Sequence, residues 1–167
     1  MKWLIITLVV SSLIGSVMWV MPSPRERFQA QLRLKARGLG FQVQIAQLNL
    51  PRQRGEMEAE TLSVPVYRQL RTNLSGKEKS DWRSWQVCRA ETLATEGLID
   101  GWSWINGEGS LSPAALERLC QTLTALPEDV LALESTPIHL SVFWKEKDER
   151  SLEQIKQAID PLIEAKV

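Results

Sequence analysis

The chain has 167 residues, of which 44% are hydrophobic and 24% are charged, a balance that excludes a globally disordered protein. Its two cysteines and single histidine exclude a disulfide-dense scaffold, a multi-cysteine zinc array and any site that needs two histidines. Lysine and arginine together number 20, as do aspartate and glutamate, so the formal net charge is zero.

The charge is nevertheless distributed unevenly along the chain. Residues 22–54 carry seven basic side chains and one acidic side chain, a net charge of +6. Residues 55–167 carry 12 basic and 19 acidic side chains, a net charge of −7. Because this larger acidic part would repel a phosphate backbone, we expect no nucleic-acid partner.

The N-terminal segment is apolar, since residues 3–21 contain no charged side chain. A helix of that length spans about 28 Å, close to the ~30 Å hydrocarbon core of a bilayer. Residues 1–21 are therefore predicted to form a single transmembrane anchor. A cleaved signal peptide is the alternative, but the small-residue pattern of a cleavage site does not follow the apolar run.

A basic segment follows this predicted anchor, and residues 22–39 are predicted to form a basic juxtamembrane helix. Basic residues beside a membrane span favour the cytoplasmic side and an anionic leaflet. We therefore expect an inner-membrane protein of bacteria whose C-terminal part is cytoplasmic; a periplasmic C-terminal part is the alternative. The predicted leaflet-contacting residues are Arg25, Arg27, Arg33, Lys35 and Arg37.

Small residues recur four apart inside the predicted span. This spacing allows close approach of two helix backbones, and it predicts a protein partner or a homo-oligomer through the transmembrane helix. The alternative is that a single span simply tolerates small residues. The predicted helix-packing residues are Ser11, Ser12, Gly15 and Ser16.

Residues 40–167 are predicted to form a soluble α+β domain. Its strands are grouped without regular alternation with helices, which predicts a small domain with a mainly antiparallel sheet and about three helices. Two helix starts are marked by serine caps, and the last helix shows a regular apolar spacing. Strands are predicted at residues 41–45, 64–67, 85–88, 98–105, 130–133 and 138–144, and helices after Ser112 and Ser151.

Tryptophan is unusually frequent in this domain. A buried tryptophan fills a core, whereas an exposed one is a common anchor of protein interfaces. We expect Trp104 and Trp144 in the core, because they belong to predicted apolar strands. Trp82 and Trp85 follow a polar run and are the predicted partner-binding residues.

The remaining reactive side chains do not form a recognisable site. His139 with Cys88 or Cys120 could provide a base and a thiol nucleophile, but Cys120 falls on the apolar stripe of its predicted helix. We therefore predict that the protein is not an enzyme, with no catalytic residue, no bound metal and no cofactor.

Four short segments carry a resemblance to a known layout. The chain resembles an uncharacterised group of short single-pass inner-membrane proteins of gammaproteobacteria, whose layout is similar to that of small accessory subunits of the protein-translocation channel. The resemblance implies an anchored helper and carries over no functional residue. The segments are 21–27, 101–104, 126–134 and 143–146.

These observations together predict a membrane-anchored, non-enzymatic interaction or accessory protein of the bacterial inner membrane. The alternative is an envelope domain that binds a small ligand or catalyses a reaction in its tryptophan-rich region.

Overall fold

The computed structural model of the chain describes residues 2–20, 22–52 and 60–167, with the backbone alone for residues 17–20. Within these residues the chain forms five helices and six strands. The helices are α1 (Lys2–Val20), α2 (Pro24–Gly38), α3 (Gly76–Ser80), α4 (Pro113–Ala125) and α5 (Glu149–Glu164). The strands are β1 (Phe41–Leu50), β2 (Glu60–Leu70), β3 (Trp85–Cys88), β4 (Ser103–Asn106), β5 (Val130–Ser135) and β6 (His139–Trp144).

The chain divides into two compact units, with the boundary after Leu32 inside α2. The first unit contains α1 and the start of α2. The described side chains of α1 are exposed. The second unit, Arg33–Val167, contains all six strands and the three remaining helices.

The predicted transmembrane anchor over residues 1–21 is wrong. α1 is a helix of 19 residues between Lys2 and Val20. Across residues 2–20, 22–52 and 60–167, no helix reaches the combined length and apolar character that crossing a bilayer demands. The single-pass topology and the inner-membrane localisation, which depended on that anchor, are corrected with it.

The second unit is built on one sheet with the strand order β1-β2-β6-β5-β3-β4, in which all neighbours are antiparallel. The α+β class and the antiparallel sheet agree with the sequence pattern. β6 stands between β2 and β5, so it joins the long β1–β2 hairpin to the three other strands.

Strand β2 is much longer than the four residues predicted from the sequence. It has 11 residues, and Glu60–Gln69 pair with β1. Pairing with β6 starts only at Val66, so Pro65 lies in the part of β2 that has a single neighbour. A proline is tolerated at this position because it has no N–H group, and no second neighbouring strand requires a hydrogen bond from it.

One face of the sheet is covered by α5. Tyr67 pairs with Val142, and Val142 pairs with Leu133, so these side chains share a face. Gln69 lies on the same face and donates from Nε2 to Asp160 of α5 at 3.3 Å. The residues that α5 buries there are Leu152, Ile155, Ile159, Leu162 and Ile163.

The other face carries a second apolar cluster. Val66 pairs with Phe143, and Phe143 pairs with Ala132, which brings three strands into this cluster. The centre of the sheet is therefore buried on both faces. The buried members of the cluster are Leu48, Leu50, Val64, Val66, Cys88, Ala90, Ala132 and Phe143.

Candidate functional site

Trp82 and Trp85 are positioned by the short connection from α3 to β3. Ser75 caps α3 and accepts a hydrogen bond from the Glu78 N–H, while the Glu78 carboxylate accepts one from the Ser75 N–H. This reciprocal cap fixes the start of the connection. The chain then passes Trp82, which is half-buried, and enters β3 at Trp85, of which 1% is exposed.

The two tryptophans line a pocket of about 430 Å³. We call it the Trp82–Trp85 pocket. Three parts of the second unit form it: residues 74–85, which include α3, residues 110–115, which include the start of α4, and the residues after α5. The lining residues are Leu74, Lys77, Glu78, Asp81, Trp82, Arg83, Trp85, Ser110, Leu111, Ala115, Lys166 and Val167.

Gly107, in the turn after β4, packs closely against Trp85. Its φ is +80°, a conformation that L side chains rarely adopt. A Cβ at this position would lie 2.5 Å from the Trp85 Cβ. The tight turn after β4 therefore allows Trp85 to pack against the backbone, and Trp85 also contacts Trp104 edge to face with ring centroids 6.4 Å apart.

Arg71 directly follows β2 and is only 3% exposed. It lies against Trp82 and is not itself part of the pocket lining. Its guanidinium carbon lies 4.4 Å from the centroid of the Trp82 ring, a cation–π contact. Its Nη2 donates to Ser135 Oγ at 2.9 Å and to the main-chain oxygen of Val167. Burial lowers the pKa of Arg71 to about 10, so the side chain is still positively charged at neutral pH.

The buried Nε1 atoms of Trp82 and Trp85 have no hydrogen-bond acceptor within the described residues, and the same holds for Nε and Nη1 of the neighbouring Arg71. Other indoles of the core are paired. Trp104 Nε1 donates to the Glu96 carbonyl at 3.0 Å, and Trp144 Nε1 donates to Asp129 Oδ2 at 2.5 Å. The two tryptophans that line the pocket thus differ from the core tryptophans Trp104 and Trp144 in the pairing of their N–H groups.

The charges at the pocket favour an anion. Its lining has three basic side chains and two acidic ones. Lys166 and Glu78 form an ion pair with each other at 2.5 Å. The lining therefore has a net side-chain charge of +1, whereas residues 55–167 as a whole carry −7.

The structure therefore brings together the two predicted partner-binding residues, Trp82 and Trp85, at one pocket. It places Trp104 and Trp144 in the core, which confirms that expectation. Sequence reasoning missed Arg71. An arginine that follows a strand is usually solvated, and nothing in its neighbourhood along the chain indicates burial.

The predicted leaflet-contacting residues lie elsewhere, and two of them serve contacts within the second unit. Arg33 donates from Nε and Nη2 to the two carboxylate oxygens of Glu146, each at 2.7 Å, and Tyr67 donates to the same carboxylate at 2.7 Å. Lys35 forms ion pairs with Glu149 at 3.0 Å and with Glu153 at 2.8 Å. Arg25, Arg27 and Arg37 are exposed.

The predicted helix-packing residues all lie on α1 and are exposed, and Ser16 Oγ donates to the Leu13 carbonyl at 2.8 Å. His139 uses Nδ1 within its own strand region, 3.2 Å from Thr136 Oγ1 and 3.1 Å from Ser141 Oγ.

Both cysteines are free. Cys88 is buried, and burial raises the pKa of its thiol to about 11. Cys120 is half-buried, and its Sγ donates to the Gly97 carbonyl at 3.2 Å.

No family model, no curated protein and no solved structure matches this chain. The resemblance to accessory subunits of the translocation channel therefore stays a prediction. The function is inferred from the geometry of the Trp82–Trp85 pocket.

Proposed function

We propose that the chain is a non-enzymatic interaction protein, which binds a segment of a partner protein in the Trp82–Trp85 pocket. The observation that carries this proposal is the Trp82–Trp85 pocket itself, which has a volume of about 430 Å³ and is lined by two tryptophans beside apolar and charged side chains. Aromatic side chains contribute large contact areas to protein interfaces.

The walls of the pocket have the composition of an interface centre. Leu74, Leu111 and Ala115 add apolar surface beside the two indoles. Tryptophan and arginine are enriched among the residues that contribute most to binding at protein interfaces. The exposed side chains of Lys77 and Arg83 form a charged rim around this apolar centre, which is the usual arrangement of such interfaces.

A small-molecule ligand is the second candidate. The pocket volume of about 430 Å³ lies within the range of roughly 300–1,000 Å³ that is typical of small-molecule sites. Such a ligand would pack against the same pocket lining, and the chain would then act as a small-ligand-binding protein.

Site-specific photocrosslinking in cells tests the proposal. We place a photoreactive amino acid at Arg83 on the rim of the pocket, and in a matched control at Gln121, which lines a separate groove between α4 and α5. The expected result is a discrete crosslinked partner from position 83 that position 121 does not give.

The same crosslink is then measured in the Trp82→Ala background, which removes the half-buried ring from the lining of the pocket. The crosslink is expected to weaken, while a thermal melt shows that the variant still folds. A crosslink that is equal from both positions, or that is indifferent to Trp82→Ala in a folded variant, contradicts the proposal. Recovery of a bound small molecule by mass spectrometry instead selects the second candidate.

A further inference from the structure

The sheet has two edge strands, which differ in length. β4 forms one edge, with only four residues and a register shift in its pairing with β3. β1 forms the other edge, with ten residues in continuous register with β2. Among the strands that the structure describes, β2 is the single neighbour of β1. About 34 Å of outer edge is therefore available as a template for a further strand.

The residues of β1 do not protect this edge from pairing. Edge strands of native proteins are usually protected by charged side chains, by prolines or by bulges. The ten residues of β1 include no charged residue, no proline and no glycine, and the pairing with β2 contains no register shift. The outer edge of β1 can therefore accept a strand over its whole length.

An exposed apolar side chain lies at the middle of this edge strand. Ile45 is 66% exposed, although a β-branched apolar residue packs well against a neighbouring strand. Ile45 is two positions from Val43, which pairs with Tyr67, so Ile45 lies on the face of the sheet that α5 covers elsewhere. A strand added at the edge would bury Ile45 by cross-strand contact.

The absence of charge on β1 selects a second copy of the chain as the occupant. Antiparallel pairing of two identical strands has a two-fold axis, so a residue at the axis lies opposite its own copy. A charged residue there would repel itself. A strand that recruits a different protein can instead carry charges that its partner complements. β1 meets the requirement of self-pairing along its whole length, because all ten of its residues are uncharged.

The two faces of the strand determine where the axis lies. A two-fold axis perpendicular to the sheet keeps each face aligned with itself, so it passes through a residue, and Ile45 and Ala46 are the two central ones. An axis at Ile45 places two exposed isoleucines opposite each other. An axis at Ala46 places Ile45 opposite Gln47 and buries less apolar surface.

We infer that β1 pairs antiparallel with β1 of a second copy of the chain, across a two-fold axis at Ile45. The two six-stranded sheets then form one continuous sheet. Because each copy uses its long edge, the assembly closes at two copies, and only the short β4 edges remain at its ends.

Sedimentation of the full chain tests this inference. The parent chain is expected to be a dimer that dissociates on dilution. Ile45→Lys places like charges opposite each other at the axis and is expected to weaken the dimer about tenfold or more. Leu93→Lys is the matched control, since Leu93 is 85% exposed and lies outside the strands, and it should leave the dimer unchanged. Circular dichroism verifies that both variants are folded.

Disulfide formation locates the axis independently. Both native cysteines are first replaced by alanine. Ile45→Cys is then expected to link two copies, because directly opposed residues have Cβ atoms about 4.5–5.5 Å apart. Gln47→Cys is the control on the same face. Its two copies lie about 14 Å apart along the strands and should stay unlinked.

Four outcomes would overturn the inference. The first two are a monomeric parent chain and a dimer that Ile45→Lys leaves unchanged. The third is an equal yield of disulfide from Ile45→Cys and Gln47→Cys, which contradicts the axis. The fourth is a photoreactive amino acid at Ile45 that captures a different protein while the chain itself is monomeric, which assigns the edge to a partner strand. None of these measurements involves the Trp82–Trp85 pocket, so the proposed function is tested separately.

Discussion

Trp144 shows how one side chain combines burial with a paired polar group. Its ring is fully buried and contacts Tyr67 edge to face with centroids 5.1 Å apart. Its N–H is satisfied by Asp129, which also accepts from the Lys147 N–H at 3.2 Å. Trp85 is buried to nearly the same extent, so its contrast with Trp144 lies in the pairing of the N–H group.

Replacement of Trp144 by alanine is expected to destabilise the chain by about 3–5 kcal/mol, because it leaves a large cavity in the core. Asp129 also loses the donor that it binds. Denaturant unfolding followed by circular dichroism gives the change in the free energy of unfolding. Ile138→Ala is the control, since Ile138 is 60% exposed and should change stability by less than about 0.5 kcal/mol. A Trp144→Ala variant as stable as this control contradicts the core assignment.

Gly107→Ala is expected to destabilise the chain more than Gly109→Ala. Both glycines have positive φ, +80° and +71°, and each substitution carries a backbone penalty of about 1–2 kcal/mol. Only at Gly107 does the new Cβ also clash with Trp85, whereas Gly109 has open space. Thermal melts of the two variants compare them directly. Equal melting temperatures would show that the turn gives way without displacing Trp85.

At the scale of elements, α4 was the easiest to predict and β2 the hardest. Ser112 and Pro113 form the expected cap and first turn of α4, since both signals are local in sequence. β2 contains Pro65, which lowers the strand propensity of its neighbours. Pairing with β1 over Glu60–Gln69 and with β6 over Val66–Leu70 stabilises β2, and such tertiary pairing has no local signal.

The predicted anchor shows the opposite error, because here a local sequence pattern led to a wrong prediction. An uncharged run of suitable length indicated a membrane span, and the structure does not support it. At the pocket, the polar run along the chain indicated Trp82 and Trp85. Arg71 could not be predicted from the sequence, because its burial depends on Ser135 and Val167 from distant parts of the chain.

The cap of α3 gives the chain a pH-dependent contact. The pKa of Glu78 is lowered from 4.5 to about 2. The largest cause is its hydrogen-bonded ion pair with Lys166, and its hydrogen bonds with Ser75 contribute less. The folded-state pKa lies below the unfolded one, so this stabilisation is present above pH 4.5 and is lost as the pH falls toward 2.

We therefore expect Glu78→Gln to melt slightly lower than the parent at neutral pH, and the difference to close as the pH falls from about 5 to about 2. Melting curves across this range test it. In a Lys166→Gln background most of the neutral-pH difference should already be absent. A difference that is constant down to pH 2 contradicts the assigned pairing.

At the scale of the second unit, β6 determines how the sheet holds together. Val142 of β6 is fully buried between Tyr67 of β2 and Leu133 of β5. Loss of β6 would separate the β1–β2 hairpin from the other three strands. β6 therefore couples the β1–β2 hairpin to the other three strands.

Unfolding of the second unit is expected to be a single cooperative transition, seen at the same midpoint by far-ultraviolet circular dichroism and by tryptophan fluorescence. Val142→Lys should lower both midpoints together, since it buries a charge at the junction. Ile138→Lys, at an exposed position beside β6, serves as the control. Two separated midpoints in the parent chain would show that the hairpin unfolds independently.

The edge-to-face contact of Trp85 and Trp104 has an optical consequence. Two indole chromophores 6.4 Å apart, with ring planes at 88°, couple their electronic transitions. Coupled, non-parallel chromophores give a paired positive and negative band in circular dichroism. Because one indole lines the pocket and the other is anchored on the neighbouring strand, this band reports the spacing of β3 and β4 without an added label, and it disappears wherever those strands separate.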